Sequence, residues 1–363
     1  MASTTNCGRT RNSAQRSRPE SDSFRNFLNF AELPLDLLIK IGIFLPSSCV
    51  LRSLLLVCKQ FRRYLDAAIV ELDARDLQRK HSGISSHVFL RFTHLKSVSF
   101  YGCRGLLDAT VISLAESCKG LTKVNFCDAQ HLTDTAVLYL ARMCPNITSA
   151  DFGWCLSLTD VGISRLAELC PRLSHLNLRG CVGLTSSIVT ALSAHCSKLT
   201  EVKFGDILCL NDSVVVQLAA SCPRLHHFTA WKCPMLTDLA LQGLGNHCRC
   251  LQHLEIGDCS NMTNKSLHNI ADGCYALRIL ELRKCSGFSD AGLCYLAEHC
   301  EKLSLVLLMG CCHCSDLSFL SLAMHCPDLT TVHATCCPQV TNRPAEAFFL
   351  HCKNFCEFNV RKF

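Results

Sequence analysis

Apolar positions recur along this chain with a period of 26 residues. Cysteines stand in unbroken progression at Cys118, Cys144, Cys170, Cys196, Cys222, Cys248, Cys274, Cys300, Cys326 and Cys352. Seven, four and three residues before them lie Val111, Leu114 and Ala115, then Val137, Leu140 and Ala141, continuing to Phe319, Leu322 and Ala323. With the cysteine, that spacing is one apolar stripe of a helix. Ten residues before each cysteine comes Asp108, Asp134, Asp160, Ser186, Asp212, Asp238, Asn264, Asp290, Asp316 or Asn342, expected to cap the first amides of that helix. Three, six and eight residues after it come apolar residues such as Leu121, Val124 and Phe126, or Leu277, Leu280 and Leu282. That alternation predicts a short strand with one face inward. One strand and one helix per repeat make a solenoid, a fold that offers a long curved surface and no catalytic cavity of its own.

Stretches such as LNLRGCVGLTSSIVTALSAHC (176–196) and LELRKCSGFSDAGLCYLAEHC (280–300) resemble the cysteine-containing leucine-rich repeats. The resemblance covers residues 67–363 and implies an α/β solenoid, a horseshoe of about 12 strands. Ile69, Leu72, Ala74, Leu77, Ser82 and Phe92 fill the slots of a degenerate first repeat, so the solenoid starts without a linker. At its far end, Phe358 to Val360 would form a strand with an open edge, blunted by Arg361 and Lys362.

Residues 1–23 are rich in Ser, Thr, Asn and Arg, have almost no large apolar side chain, and are expected to be disordered. Residues 24–66 differ. LPLDLLIKIGIFL (33–45) and LRSLLLVCKQFRRYLD (51–66) read as two short helices, apolar over more of their surface than so small a unit can bury. The excess should meet another chain. Leu33-Pro34, the run Leu37-Leu38-x-Lys40-Ile41, and Leu56-Val57-Cys58-Lys59 before Phe61 resemble an F-box, with Phe61 where that family usually has Trp and Gly42 inside the first helix. The resemblance implies a receptor of an SCF-type (cullin-RING) ubiquitin ligase. Leu33, Pro34, Leu37, Leu38, Ile41, Leu45, Leu54, Val57, Cys58 and Phe61 would bind the adaptor subunit, and through it the cullin and RING subunits, while the solenoid captures a protein substrate. The alternative is a free-standing solenoid scaffold whose N-terminal helices cap the first repeat or bind something else.

Of 29 cysteines, ten occupy the helix slot and eight more (Cys103, Cys155, Cys181, Cys233, Cys259, Cys285, Cys311 and Cys337) fill a corner after the strand, where small apolar thiols suit an interior. Reduced thiols imply the cytoplasm or nucleus, and no signal peptide or membrane-spanning run is read in the sequence. The net charge of +6 sits mostly outside the repeats, which hold 23 bases against 22 acids. No basic face for nucleic acid is therefore expected. The C-x-x-C of Cys311 and Cys314 falls on interior slots, so no metal is expected there, and no cofactor motif or catalytic constellation stands out.

Binding chemistry should then lie on outward strand positions, five, seven, nine and ten residues after each repeat cysteine. One row reads Arg179, Gly205, Trp231, Gly257, Arg283, Met309. Trp and Arg are frequent anchors of binding energy, so Trp231, Arg179 and Arg283, with Trp154 and Lys232, form the expected substrate site. Between its glycines Trp231 either presents both ring faces to a partner or lies flat over Gly205 or Gly257. Ile279, Leu305, Leu307 and Met309 form an apolar patch on the same face, suited to a second contact. Acids interleave with the bases, which weighs against a phosphorylated ligand. Cys127, Cys312 and Cys336 are the thiols expected to be reactive.

Overall fold

The computed structural model describes residues 70–74, 92–208 and 210–361. The two helices expected over 33–66, every residue assigned to the adaptor, the tail 1–23, and Ile69, Leu77 and Ser82 lie outside the described residues.

Twelve parallel strands form one sheet in strict chain order. They are β1 (Glu71–Asp73), β2 (Ser97–Ser99), β3 (Lys123–Asn125), β4 (Ser149–Asp151), β5 (His175–Asn177), β6 (Glu201–Gly205), β7 (His227–Trp231), β8 (His253–Gly257), β9 (Ile279–Arg283), β10 (Leu305–Met309), β11 (Thr331–Thr335) and β12 (Glu357–Arg361). The helices among the described residues are α1 (Asp108–Ser117), α2 (Asp134–Met143), α3 (Asp160–Leu169), α4 (Ile188–His195), α5 (Asp212–Ser221), α6 (Asp238–His247), α7 (Asn264–Ala271), α8 (Asp290–His299), α9 (Asp316–His325) and α10 (Pro344–His351). Each residue pairs with the one a full repeat later, as in Val202 with Phe228 and Met309 with Thr335. Neighbouring strands sit about 4.8 Å apart and packed helices about 8–10 Å. The two columns can share one period only if the stack bends with its strands inside. The fold is a leucine-rich-repeat solenoid, as the spacing predicts.

The stripe and the inward strand positions are buried as one continuous core. Phe100, Phe126 and Phe152 stack through it at ring separations of 5.6 and 5.7 Å. Leu72 and Ala74 are buried beside β2, and Phe92 takes the place of the missing first cysteine, its carbonyl accepting from the Cys118 thiol at 2.9 Å. The same bond recurs up the column: the thiols of Cys144, Cys222 and Cys352 each donate to the carbonyl of the preceding repeat's cysteine at 3.4 Å. In the corner slot, Cys155 and Cys181 donate to Phe126 and Phe152 carbonyls at 3.2 and 3.1 Å. A thiol therefore fills a small apolar site and adds a weak hydrogen bond that Ala or Val could not make.

The capping expectation needs correction. The row of acids occupies the first helical turn, not the cap position. The cap is the residue before it: Thr133, Thr159, Thr237, Thr263 and Ser315 each accept an amide of their own helix, and Asn211 does the same for Val214. The carboxylate instead reaches to the next repeat. Asp108 accepts the amide and hydroxyl of Thr133, Asp134 those of Thr159, Asp212 those of Thr237, Asp238 those of Thr263, and Asp316 those of Thr341. The first four of these acids thus hold the cap that holds the next helix, while Thr341, the partner of Asp316, lies just ahead of α10. Burial resists the charge on Asp238 and Asp290, but the hydroxyl and amide donors around them outweigh it and hold both carboxyls below their ordinary range. The ladder is interrupted once. Ser186 replaces the acid, α4 begins two residues later with an uncapped Ser187, and Asn211 draws no bond from Ser186. In α10, likewise, Asn342 is not the cap; the helix opens at Pro344 after Arg343.

Removing one rung should be costly. Asp212→Ala loses bonds of 2.8 and 2.7 Å to Thr237, and with charge-assisted bonds contributing about 1.5–3 kcal/mol each a loss of about 2 kcal/mol or more is expected in denaturant unfolding. Ser186→Ala, at the interrupted rung, should stay within about 0.5 kcal/mol.

Candidate protein interface

Strand ends on the inner face depend on one slot. In β3, β4 and β5 the last residue is Asn125, Asp151 or Asn177, whose side-chain oxygen accepts the amide two residues on at 2.9, 2.9 and 3.0 Å. This local turn competes with the extended ladder, and these strands stop at three residues. From β6 the slot holds Lys203, Thr229, Glu255, Glu281, Leu307, His333 and Asn359, and strands run to five residues. The next corner, at the tenth position after the cysteine, is left-handed in every repeat from Gly102 to Cys336, including Trp154 (φ 60°) and Lys232 (φ 50°). That slot is therefore a corner and not ordinary strand surface; its signal in the sequence is the recurrence of Gly and Asp, which tolerate this conformation.

Five of the expected residues come together across β4 to β9. Trp231 lies flat on Gly257: a Cβ built there would stand 2.2 Å from the ring. The stem of Arg179 lies across Gly205 in the same way, at 2.6 Å, which carries its guanidinium to 4.8 Å from the Trp231 ring centre. Arg283 approaches from the opposite side at 5.6 Å. The ring is therefore sandwiched into the surface and does not stand with both faces bare. Trp154, at the corner beside Arg179, covers Gly180 and is 42% exposed. Lys232 is exposed and pairs with Asp206 at 3.4 Å. Arg283 pairs with Glu281 at 2.8 Å and Lys203 with Glu201 at 2.9 Å. Leu305, Leu307 and Met309 lie on β10, beside Ile279 on β9 and with Met309 in register with Arg283, all half-buried.

Three features were missed from sequence. His227 and His253 stack at 3.8 Å between ring centres, flanked by Glu201 and Glu281. Burial, then His253 and Lys203, push the His227 imidazole down to about 4, so it is neutral at pH 7. The hydrogen bond from His253, against the opposing effect of burial and with help from Arg283, holds Glu281 near 2. Burial also resists the charge on Glu201, yet Lys203, His227 and His175 bring it below its ordinary range. Second, Leu156, Val182 and Leu208 occupy one loop slot in three successive repeats and are 41%, 61% and 70% exposed, a line of apolar rim beside Trp154. Reading that slot down the repeats would have found it. Third, among the described residues the exposed thiols are Cys250, Cys312 and Cys356; Cys127 and Cys336 are half-buried, and burial pushes Cys127 up to about 11. Cys311 and Cys314 are buried, as the register implies. Among the described residues no group of three or more His, Cys, Asp or Glu could hold a metal ion, and no helix is long and apolar enough to cross a membrane.

In sequence, no protein-family model and no curated protein matches the chain. In structure it is similar to yeast Rad7, solved in complex with Elc1, at a TM-score of 0.67 and 16% identity, over 90% of this chain and 80% of that one. Weaker likenesses are to an internalin (InlF) of Listeria monocytogenes (TM-score 0.48, 14% identity, 91% of this chain and 98% of that) and to the leucine-rich repeat-containing protein LegL7 of Legionella pneumophila (0.43, 13%, 67% and 83%). The fold these likenesses share with the chain is the leucine-rich-repeat solenoid.

Gly257→Ala is expected to lift the Trp231 ring, shifting tryptophan fluorescence and near-ultraviolet circular dichroism and costing about 1–3 kcal/mol. Gly205→Ala should cost less, because a flexible arginine stem can move aside. Keeping His227 neutral stabilises the fold fully above its ordinary pKa of 6.5, and that contribution is lost as the pH falls toward about 4. His227→Gln should therefore flatten the fall in unfolding midpoint across that interval.

Proposed function

We propose that this protein is the substrate-recognition subunit of an SCF-type ubiquitin ligase, with residues 33–66 docking the adaptor subunit and the strand-lined face of the solenoid holding the protein to be ubiquitinated. The carrying observation is the combination in one chain of an F-box-like segment with a solenoid that begins immediately after it and presents an Arg-Trp-Arg tier on its inner face. The likeness to Rad7, a protein solved in complex with Elc1, supports a solenoid of this kind working beside a partner subunit. In this reading the chain performs no chemistry and carries no cofactor. Its task is to hold two proteins at a set distance, so that substrate lysines face the loaded ubiquitin. Trp231, Arg179, Arg283, Trp154 and Lys232 would contact the substrate, and Leu305, Leu307 and Met309 would provide a second, apolar contact.

The adaptor decides between this reading and a free-standing scaffold. Co-expressed with the SCF adaptor subunit, the chain is expected to elute from size exclusion as a stoichiometric complex, lost when Leu37 and Ile41 are both changed to Asp. A folded chain that elutes without the adaptor would refute the ligase assignment.

A further inference from the structure

The charges on the inner face narrow the class of partner, given the reading of that face as the substrate surface. Lys203, Lys232 and Arg283 each have a carboxylate of this chain: Glu201 at 2.9 Å, Asp206 at 3.4 Å, and Glu281 at 2.8 Å with Glu255 at 4.0 Å. Arg179 has none among the described residues, and its buried Nε has no hydrogen-bond acceptor. Trp231 steadies the charge at 4.8 Å but offers no lone pair. Nε is closed off from solvent, so an arriving acceptor would meet the terminal nitrogens of the guanidinium, which carry the same unpaired charge.

A carboxylate suits the position better than a phosphate. Asp151, Glu201, Asp206, Glu255, Asp258 and Glu281 share this face, and a dianion would be repelled by them. Among the described residues, the other cations of the face without an ion pair, Lys123 and Lys284, lie on β3 and just past β9, two and four strands from Arg179. No second free cation among them stands on a strand next to it. The second contact is apolar: Ile279, Leu305, Leu307 and Met309 form a half-buried cluster on β9 and β10. The Arg179 stem crosses Gly205, which sets its guanidinium over β6, and from there to that cluster is between three and four strand spacings, about 17 Å, which an extended chain covers in about five residues.

We propose that the partner binds through an extended segment carrying a carboxylate side chain that meets Arg179 against Trp231, and a large apolar side chain about five residues away that sits on the Ile279 to Met309 cluster. Arg179 supplies specificity for the acid; the cluster supplies burial.

Panning a phage-displayed library of random peptides on the full chain tests this without any adaptor, so it can fail or succeed independently of the ligase assignment. Enriched peptides should pair Asp or Glu with Leu, Ile, Met or Phe at about that spacing. A selected peptide made synthetically should weaken about tenfold or more, a change of about 1.4 kcal/mol, when its acid becomes Gln, and equally on the Arg179→Gln protein. Met309→Ser should weaken it separately, with both variants still folded at the assay temperature by circular dichroism. Enriched peptides without an acid, unchanged binding to Arg179→Gln, tighter binding of a phosphoserine version, or no enrichment at all would each overturn the proposal.

Discussion

A single repeat of this protein leaves its interior faces open, and every one of them is closed by the copy that follows. That dependence sets the rest of the structure. With 26 residues returning the chain to the same place, any group that finds a partner once finds it in each repeat. The Asp carboxylates reach the next cap, the cysteine thiols reach the previous carbonyl, and strand amides reach along the sheet. Stability in such a stack is close to a sum of repeat and neighbour contributions, so the identity of a buried slot is tightly constrained while the outward slots are left to vary. The variation on the inner face is where function can be written.

The inner face shows how backbone bareness shapes a side-chain surface. Gly205 and Gly257 supply no Cβ, and into those clearings lie the Arg179 stem and the Trp231 ring. A larger residue at either position would raise them off the sheet. The result is a low, ordered platform of ring and guanidinium groups, pre-set with little side-chain entropy left to lose on binding. Around it the acids and bases mostly satisfy one another, so the surface is polar without a strong field. Selectivity then falls to the few groups left unmatched.

The periodic part of this architecture was readable because burial repeats: strand, helix, cysteine and phenylalanine slots each follow from a column of like residues. The row of acids was read correctly as a row and wrongly as caps, since Thr133 and Asp134 both suit a helix start and only the geometry shows that Thr133 caps while Asp134 reaches onward to Thr159. The left-handed corner was hidden because Trp154 and Lys232 occupy it as well as Gly and Asp. At the inner face, the row containing Trp231 could be listed from register alone, but whether the ring stands or lies depends on torsion angles that the sequence does not display. The His227 and His253 stack escaped for the same reason.

The interruption of the acid ladder gives the Arg179 and Trp231 contact a second meaning. Between Ser186 and Asn211 the helix side lacks its carboxylate rung, and on the strand side β5 pairs with β6 over only three residues where β6 and β7 pair over five. Among the described residues, this junction combines the short strand pairing with a missing carboxylate rung. Arg179 lies at the end of β5 and reaches across Gly205 on β6 to the ring on β7, spanning that junction on the inner face. A cation over an aromatic ring contributes about 0.5–2 kcal/mol, comparable to part of the rung that is missing. The group best placed to meet a partner's acid is thus also the one that ties the two halves of the solenoid together, and a ligand that fixes the guanidinium would be expected to stiffen the stack at that junction.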